Sequence, residues 1–219
     1  MVLDKPGKPS YDSPSLFRII VLLQTVSKIL ERTATSRLSA VARYVGLVNS
    51  NQCGSLPSLS SFEARSTLVD TVCTLQRPDR MVSSPFLDIK GGFDNVDADI
   101  LCQALRSKGV AHYLVAWIKS FLSGRSCRLL FQGSPRVLSP VSVATPLGSP
   151  ISPLLFVIHV SPLYIPLAHG LVLSYVDDFA PTTSSLSYRT KSVLSRLPSA
   201  PYGQLHTPGK STSPFQKPN

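Results

Sequence analysis

The stretch Leu173-Ser174-Tyr175-Val176-Asp177-Asp178-Phe179 constrains this 219-residue chain more than any other. An apolar run leads into two adjacent carboxylates, and apolar residues resume behind them. The pattern reads as a hairpin, with strands on either side and the aspartates at the tight turn between them. Side-by-side acids repel, and each raises the other's pKa unless a cation neutralises the pair. For oxygen ligands alone the natural cation is Mg²⁺. Such a site needs a further carboxylate from a neighbouring strand. Phe86-Leu87-Asp88-Ile89-Lys90 offers one, again an acid at the end of an apolar run.

Two further motifs join the hairpin: Leu87-Asp88-Ile89-Lys90-Gly91-Gly92-Phe93-Asp94-Asn95-Val96-Asp97 and Thr145-Pro146-Leu147-Gly148-Ser149-Pro150-Ile151-Ser152-Pro153. With Tyr175-Val176-Asp177-Asp178, they resemble, in order and spacing, three motifs of one family. These are the first aspartate motif, the Pro-Gln-Gly-Ser-Pro loop and the catalytic box of reverse transcriptases of the non-LTR (LINE-like) retrotransposon type. The resemblance implies an RNA-directed DNA polymerase that transfers nucleotides to a primer 3′-hydroxyl with two Mg²⁺ ions. Its partners would be an RNA template, a DNA primer and deoxynucleoside triphosphates. Asp88, Asp177 and Asp178 would be the catalytic and metal-binding residues, Asp178 coordinating less directly. Phe93 would lie beneath the incoming sugar and reject a 2′-hydroxyl; plain core packing is the other reading. Gly148 and Ser149 would let the backbone approach the templating base and the nucleotide, since glycine has no Cβ to block it. An ordinary turn is the alternative there. Leu147 stands where the family carries glutamine, a departure that bears on template handling.

The resemblance extends N-terminally. Arg18, Lys28 and Glu31 match a fingers segment, with Ile19 in place of its proline. Asn51-Gln52-Cys53-Gly54 and Glu63-Ala64-Arg65-Ser66-Thr67 resemble a loop and an Arg-Ser-Thr run. Arg65 would face a nucleotide triphosphate, or else be a solvated helix-cap arginine.

A formal charge of +10 points to a polyanionic partner, because a basic surface gathers phosphates without choosing a sequence. Half of it lies in Arg189, Lys191, Arg196, Lys210 and Lys217, with no acid after Asp178. Cys53, Cys73, Cys102 and Cys127 show no Cys-x-x-Cys spacing, so zinc and a disulfide framework are not expected. Small buried apolar side chains in an intracellular protein, of nucleus or cytoplasm, are the default. Residues Pro153 to Val176 carry no Asp, Glu, Lys or Arg, long enough to span a bilayer. Pro162, Pro166, Gly170, His159 and His169 interrupt the run, which ends in two aspartates. A buried helix, a loop and a core strand are expected instead, and no membrane partner.

Along the chain, Phe17–Leu23 reads as a strand and Gln24–Val45 as a helix. Val26, Ile29, Leu30, Ala34, Leu38, Val41 and Val45 form the helix's core-packing face. Helices are expected at Ser66–Leu75, from Asp97 to a stop near Gly109, at Tyr113–Leu122 and from Pro153. Asp94, Asp97 and Asp99 are helix-cap acids. Arg125–Phe131 and Val137–Val143 form a hairpin across Gly133-Ser134-Pro135. His112, His159, His169 and His206 have no partner at catalytic spacing. Beyond Tyr188 a Ser/Thr- and Pro-rich basic tail reads as disordered.

The expected fold is α+β: a polymerase right-hand palm with an antiparallel sheet and packed helices, partial fingers, and no thumb. The division is residues 4–80 as partial fingers, 81–190 as palm and 191–219 as the tail. Because the tail stands where the family has its thumb, a truncated, inactive retroelement remnant that at most binds nucleic acid is the rival expectation.

Overall fold

A computed structural model describes residues 2–7, 11–12, 16–56, 60–131, 134–141, 145–164, 167, 170–185 and 205–206. Its centre is a hairpin of β8 (Gly170–Tyr175) and β9 (Asp178–Ser185), in register from Gly170↔Thr183 to Tyr175↔Asp178. The edge of β9 away from β8 is shared. β4 (Met81–Ser83) pairs with its far end, and β5 (Leu87–Ile89) pairs with its start. On the other side β3 (Gln52–Cys53) lies parallel to β8. β10 (Leu205–His206) pairs antiparallel with β5, which makes six strands among the described residues.

Period-two alternation sends side chains of β8 to opposite faces. Val172 joins the main core while Leu173 joins a second, smaller cluster with Cys53 and Ala64. The main core is completed by α3 (Ala98–Ser107), α4 (His112–Leu122) and α5 (Ser152–Val160). Asp97 starts α3 by accepting from the Asp99 and Ile100 N–H groups at 2.8 and 3.0 Å, as a cap should. Gly109, at φ +76°, follows its end. In α5 every residue but Pro153 is buried, as a helix with apolar residues on every face requires; Ser152 and His159 are its polar members. α2 (Ser61–Leu75) covers the other face against β8 and β9. α1 (Thr25–Tyr44) supplies Ala34, Leu38 and Ala42 to the main core. Two small hairpins stand apart in hydrogen bonding, β1 (Val2–Asp4) with β2 (Phe17–Ile19) and β6 (Arg125–Phe131) with β7 (Ser134–Val141).

The α+β class and the apolar run are as expected. Pro153 to Val176 resolves into α5, a 3₁₀ turn at Ser161–Leu163 and β8. Among the described residues no helix is long and apolar enough to cross a membrane.

Other expectations change. α2 begins at Ser61 and not Ser66, because Ser60 and Glu63 form a capping box in which the Ser60 N–H donates to Glu63 Oε2 at 2.8 Å. The apolar face of α1 is core only in its second half. Val26, Ile29 and Leu30 are 69, 60 and 58% exposed. β2 is three residues long, since beyond it the Val21 N–H turns to the Leu147 carbonyl at 2.7 Å. Cys53 and Cys102 are buried as expected, but Cys73 and Cys127 are exposed thiols. The tail read as disordered contains β10; the rest of it lies outside the described residues.

His159 in α5 gives the fold a pH signature. Burial pushes its imidazole down to about 4, against a smaller upward pull from Asp97. The unfolded chain therefore takes up a proton first as pH falls. Stability should be complete above about 6.5 and decline toward 4, by about 2 kcal/mol at pH 5. Urea unfolding of the parent and of His159→Gln at pH 7 and pH 5 checks this. The parent should lose about 2 kcal/mol more than the variant across that interval; equal losses would remove His159 as the cause.

Candidate active site

The tight turn is Val176-Asp177, between Tyr175 and Asp178. Val176 has φ +57°, a left-handed conformation that costs a β-branched residue about 1–3 kcal/mol. Neighbouring backbone holds it there. The Val176 N–H donates to the Cys53 carbonyl at 3.1 Å, and the Ser174 N–H to Asn51 at 3.1 Å. Gly54 lies so close that a Cβ on it would stand 2.8 Å from Val176 Cγ2. Glycine at 54 is thus a condition of the turn.

Three carboxylates gather at this end of the sheet. Asp88 is the cross-strand partner of Asp178, which sets their Cβ atoms about 5 Å apart on one face. Leu87 and Ile89 point into the main core, so Asp88 points away from it and is exposed. Asp177 is tied in by the Ile89 N–H, which donates to its carbonyl at 3.4 Å. Burial raises the Asp177 carboxyl above the ordinary carboxylate value. Its own backbone N–H opposes this, while Asp178 and Asp88 add to the rise. This mutual repulsion is the electrostatic state that a divalent cation relieves. Among the described residues no group of three or more His, Cys, Asp or Glu side chains is arranged to hold a metal ion by itself.

Arg65, one turn into α2, shares a cleft of about 350 Å³ with Phe86, Tyr175 and Asp178. The arginine and the hairpin acid, 113 positions apart in sequence, therefore line one space.

Phe93, Gly148 and Ser149 form a second group. Phe93 follows β5 in a short 3₁₀ turn (Gly92–Asn95), and its half-buried ring stacks on Phe156 of α5 at 4.5 Å. Its carbonyl accepts from the Thr145 N–H at 2.9 Å, which joins the turn to the Thr145–Pro150 loop. Gly148, at φ +107°, is exposed, and a Cβ there would stand 2.9 Å from the Val21 carbonyl oxygen. Ser149 is buried and donates its hydroxyl to Glu31 of α1. Its side chain is thus taken up inside the fold, and its N–H donates to the Pro146 carbonyl at 3.1 Å.

One motif residue, Gln52 of the Asn51–Gly54 loop, has partners that the sequence did not connect to it. Gln52 is fully buried beneath the hairpin. Its Oε1 accepts from the hydroxyls of Tyr164 and Ser174, which also touch each other, and its Nε2 donates to the Cys53 carbonyl at 2.7 Å. The Tyr164 hydroxyl is pushed well above the ordinary tyrosine value by burial. Gln52 sits among Asn, Ser and Asn, where a glutamine reads as loop; only pairing with β8 shows it to be interior.

The chain matches the family model described as reverse transcriptase (RNA-dependent DNA polymerase) over residues 4–199. It is 27% identical over 188 residues to a probable RNA-directed DNA polymerase from transposon X-element of Drosophila melanogaster, covering 84% of this chain and 20% of that protein. It is 28% identical over 195 residues to the RNA-directed DNA polymerase from mobile element jockey of the same organism, covering 85% of this chain and 21% of that one. The chain thus spans about a fifth of the length of these relatives. Among solved structures it is similar to telomerase from Candida albicans (TM-score 0.52, 12% identity, covering 72% of this chain and 30% of that one). It is also similar to telomerase from Candida tropicalis (TM-score 0.53, 13% identity, covering 78% and 30%). At such identities the likeness concerns the fold.

Proposed function

The chain belongs to the reverse transcriptase family, of the non-LTR retrotransposon type, and from that premise we propose that it carries the catalytic palm of an RNA-directed DNA polymerase. In this reading residues 81–190 are palm, 4–80 are partial fingers and 191–219 are a basic tail. The observation that carries it is the pairing of Asp88 with Asp178 beside Asp177, whose carboxyl burial raises, with Asp178 and Asp88 adding to the rise.

Asp88, Asp177 and Asp178 would hold two Mg²⁺ ions. When bound, these supply charge neutralisation at the reacting phosphate and activation of the primer hydroxyl. Mg²⁺ in polymerase sites takes one or two carboxylates and completes its shell with substrate phosphates and water. The primer 3′-oxygen bonds to the α-phosphorus of a deoxynucleoside triphosphate, and the bond to pyrophosphate breaks. Arg65, across the cleft from Asp178, would take the triphosphate. Gly148 and Ser149 would offer backbone to the templating base.

Phe93 would exclude a 2′-hydroxyl, its ring held in place by the stack on Phe156. Phe93→Val should then raise ribonucleotide incorporation relative to deoxynucleotide by about tenfold or more, a change of roughly 1.4 kcal/mol in discrimination. Steady-state incorporation with each nucleotide checks it, and an unchanged ratio would return Phe93 to core packing.

The test of the function is primer extension on an RNA template with purified protein and Mg²⁺, beside an Asp177→Ala, Asp178→Ala double variant. Extension by the parent alone is the expected result. A folded parent that extends nothing, or a double variant that still extends, would overturn the reading.

A further inference from the structure

Glu31 is the single acid of α1, and it is 1% exposed, whereas the helix's basic residues Lys28, Arg32, Arg37 and Arg43 all face solvent. Its Oε2 accepts the Ser149 hydroxyl, and its Oε1 has no hydrogen-bond partner among the described residues. A carboxylate buried with one oxygen unbonded works against folding, and a leucine of similar bulk would not. Packing therefore does not account for an acid at this position. What distinguishes it from a leucine is its hold on Ser149, which is 118 positions away in sequence.

Ser149 is the point where the Thr145–Pro150 loop is pinned. Its Oγ also accepts from the Ile151 N–H at 3.3 Å, so one hydroxyl joins α1, the loop and the start of α5. The loop is gripped beside this point as well. The Val21 N–H donates to the Leu147 carbonyl at 2.7 Å, and Gly148 stands too close to the Val21 carbonyl to carry a Cβ. At the other end of the loop the Thr145 N–H and hydroxyl both donate to the Phe93 carbonyl, at 2.9 and 3.2 Å. Between these anchors the Ser149 N–H closes a turn on the Pro146 carbonyl. A path of hydrogen bonds and loop backbone thus leads from Glu31 to Phe93, whose ring is stacked on Phe156.

We propose that Glu31 is a positioning residue: through Ser149 it holds the loop, and through Thr145 it sets where Phe93 stands, so that α1 tunes nucleotide discrimination from inside the fold. Its effect on discrimination rests on the polymerase reading, whereas its hold on the loop does not. Buried as it is, Glu31 touches no nucleotide, and whatever it does to selection passes through the loop. Such coupling is established only by measuring it.

Glu31→Leu removes the acceptor together with the unbonded oxygen, so its thermal melt should be unchanged or higher while the loop loosens. Amide hydrogen exchange of the Thr145 and Ser149 N–H groups should speed up by about tenfold or more, with α3 and α4 at parent rates. In primer extension, discrimination between matched deoxynucleotide and ribonucleotide should fall by about threefold or more, mainly through a raised KM for the deoxynucleotide. Glu31→Gln keeps an acceptor for the hydroxyl and should stay near the parent in both readouts. In a Phe93→Val background Glu31→Leu should change discrimination no further, because both act at one place. A purely structural role would lower melt and rate together and leave discrimination where it was. Parent-like exchange in Glu31→Leu would overturn the proposal and leave the polymerase reading standing. So would a loosened loop with unchanged discrimination, or an effect that adds in full to that of Phe93→Val. If Glu31→Leu melts lower than the parent, Ser149→Ala cuts the tether from the other side, and parent-like exchange at Thr145 in that folded variant overturns the proposal. A folded parent that extends no primer, while Glu31→Leu still exchanges faster, would overturn the polymerase reading and keep the hold on the loop.

Discussion

In the presence of a chelator, Asp177→Asn should melt higher than the parent, by about 2 °C, while losing primer extension by about a thousandfold or more. Asp177 is half-buried and lies beside Asp178 and Asp88, and both burial and repulsion raise its carboxyl. A group raised in this way binds its proton more tightly folded than unfolded. Its charged form therefore lowers stability, and that loss sets in as pH rises from the ordinary carboxylate value through the raised one. Asparagine keeps the shape and removes the charge. Because the site is partly exposed, solvent screening holds the gain to about 0.5–1 kcal/mol, or roughly 2 °C for a chain of this size. Activity moves the other way. Losing a metal ligand forfeits several kcal/mol of transition-state stabilisation, and each 1.36 kcal/mol is tenfold in rate. Mg²⁺ should raise the melting temperature of the parent and barely move the variant. Differential scanning fluorimetry with Mg²⁺ and with EDTA reads all of this. A variant that melts lower in EDTA, or one stabilised by Mg²⁺ as much as the parent, would show that these acids are a solvated turn.

That opposition between stability and activity explains why the hairpin was legible in the sequence. Adjacent acids between apolar runs make little structural sense alone, so their presence signals chemistry. The paired position of Asp88 was legible for the same reason: Leu87 and Ile89 flank it with the period of a strand and both reach the core. α3 and α4 could be read because their apolar stripes are long enough to show a period. β3 and β4 could not. Two and three residues carry no alternation, and what makes them strands is pairing with β8 and β9, far away in sequence. The start of α2 was concealed differently. Ser60 and Glu63 have capping-box spacing, but the Ser/Leu/Pro-rich stretch before them reads as loop throughout. On α1 the period was right and the burial wrong for its first half. Periodicity locates a face, whereas the covering of Val26, Ile29 and Leu30 depends on what the rest of the molecule places there.

Gln52 lies in a recognisable loop motif, but its burial and its network appear only in the fold, and replacing it should have the largest effect on stability. Gln52→Leu keeps the volume but removes the acceptor for the Tyr164 and Ser174 hydroxyls and the donor to the Cys53 carbonyl. Each buried polar group left without a partner costs about 1–3 kcal/mol, so a loss of about 3 kcal/mol is expected even if the two hydroxyls still bond to each other. In melting temperature that is about 6–12 °C. Primer extension should fall as well, because the Cys53 carbonyl that Gln52 meets also accepts the Val176 N–H and so holds the left-handed turn. Gln52→Leu with Tyr164→Phe and Ser174→Ala separates these two effects. Removing all three side-chain partners at once leaves no hydroxyl stranded, and the Cys53 carbonyl still accepts from the Val176 N–H, so the triple variant should recover most of the lost stability. If the network also fixes where Asp177 and Asp178 stand, extension should stay depressed in that stable triple variant, with kcat reduced more than the nucleotide KM is raised. Recovery of both stability and rate would confine Gln52 to the core. A Gln52→Leu loss below about 1 kcal/mol would mean that the buried cluster contributes little to holding the hairpin.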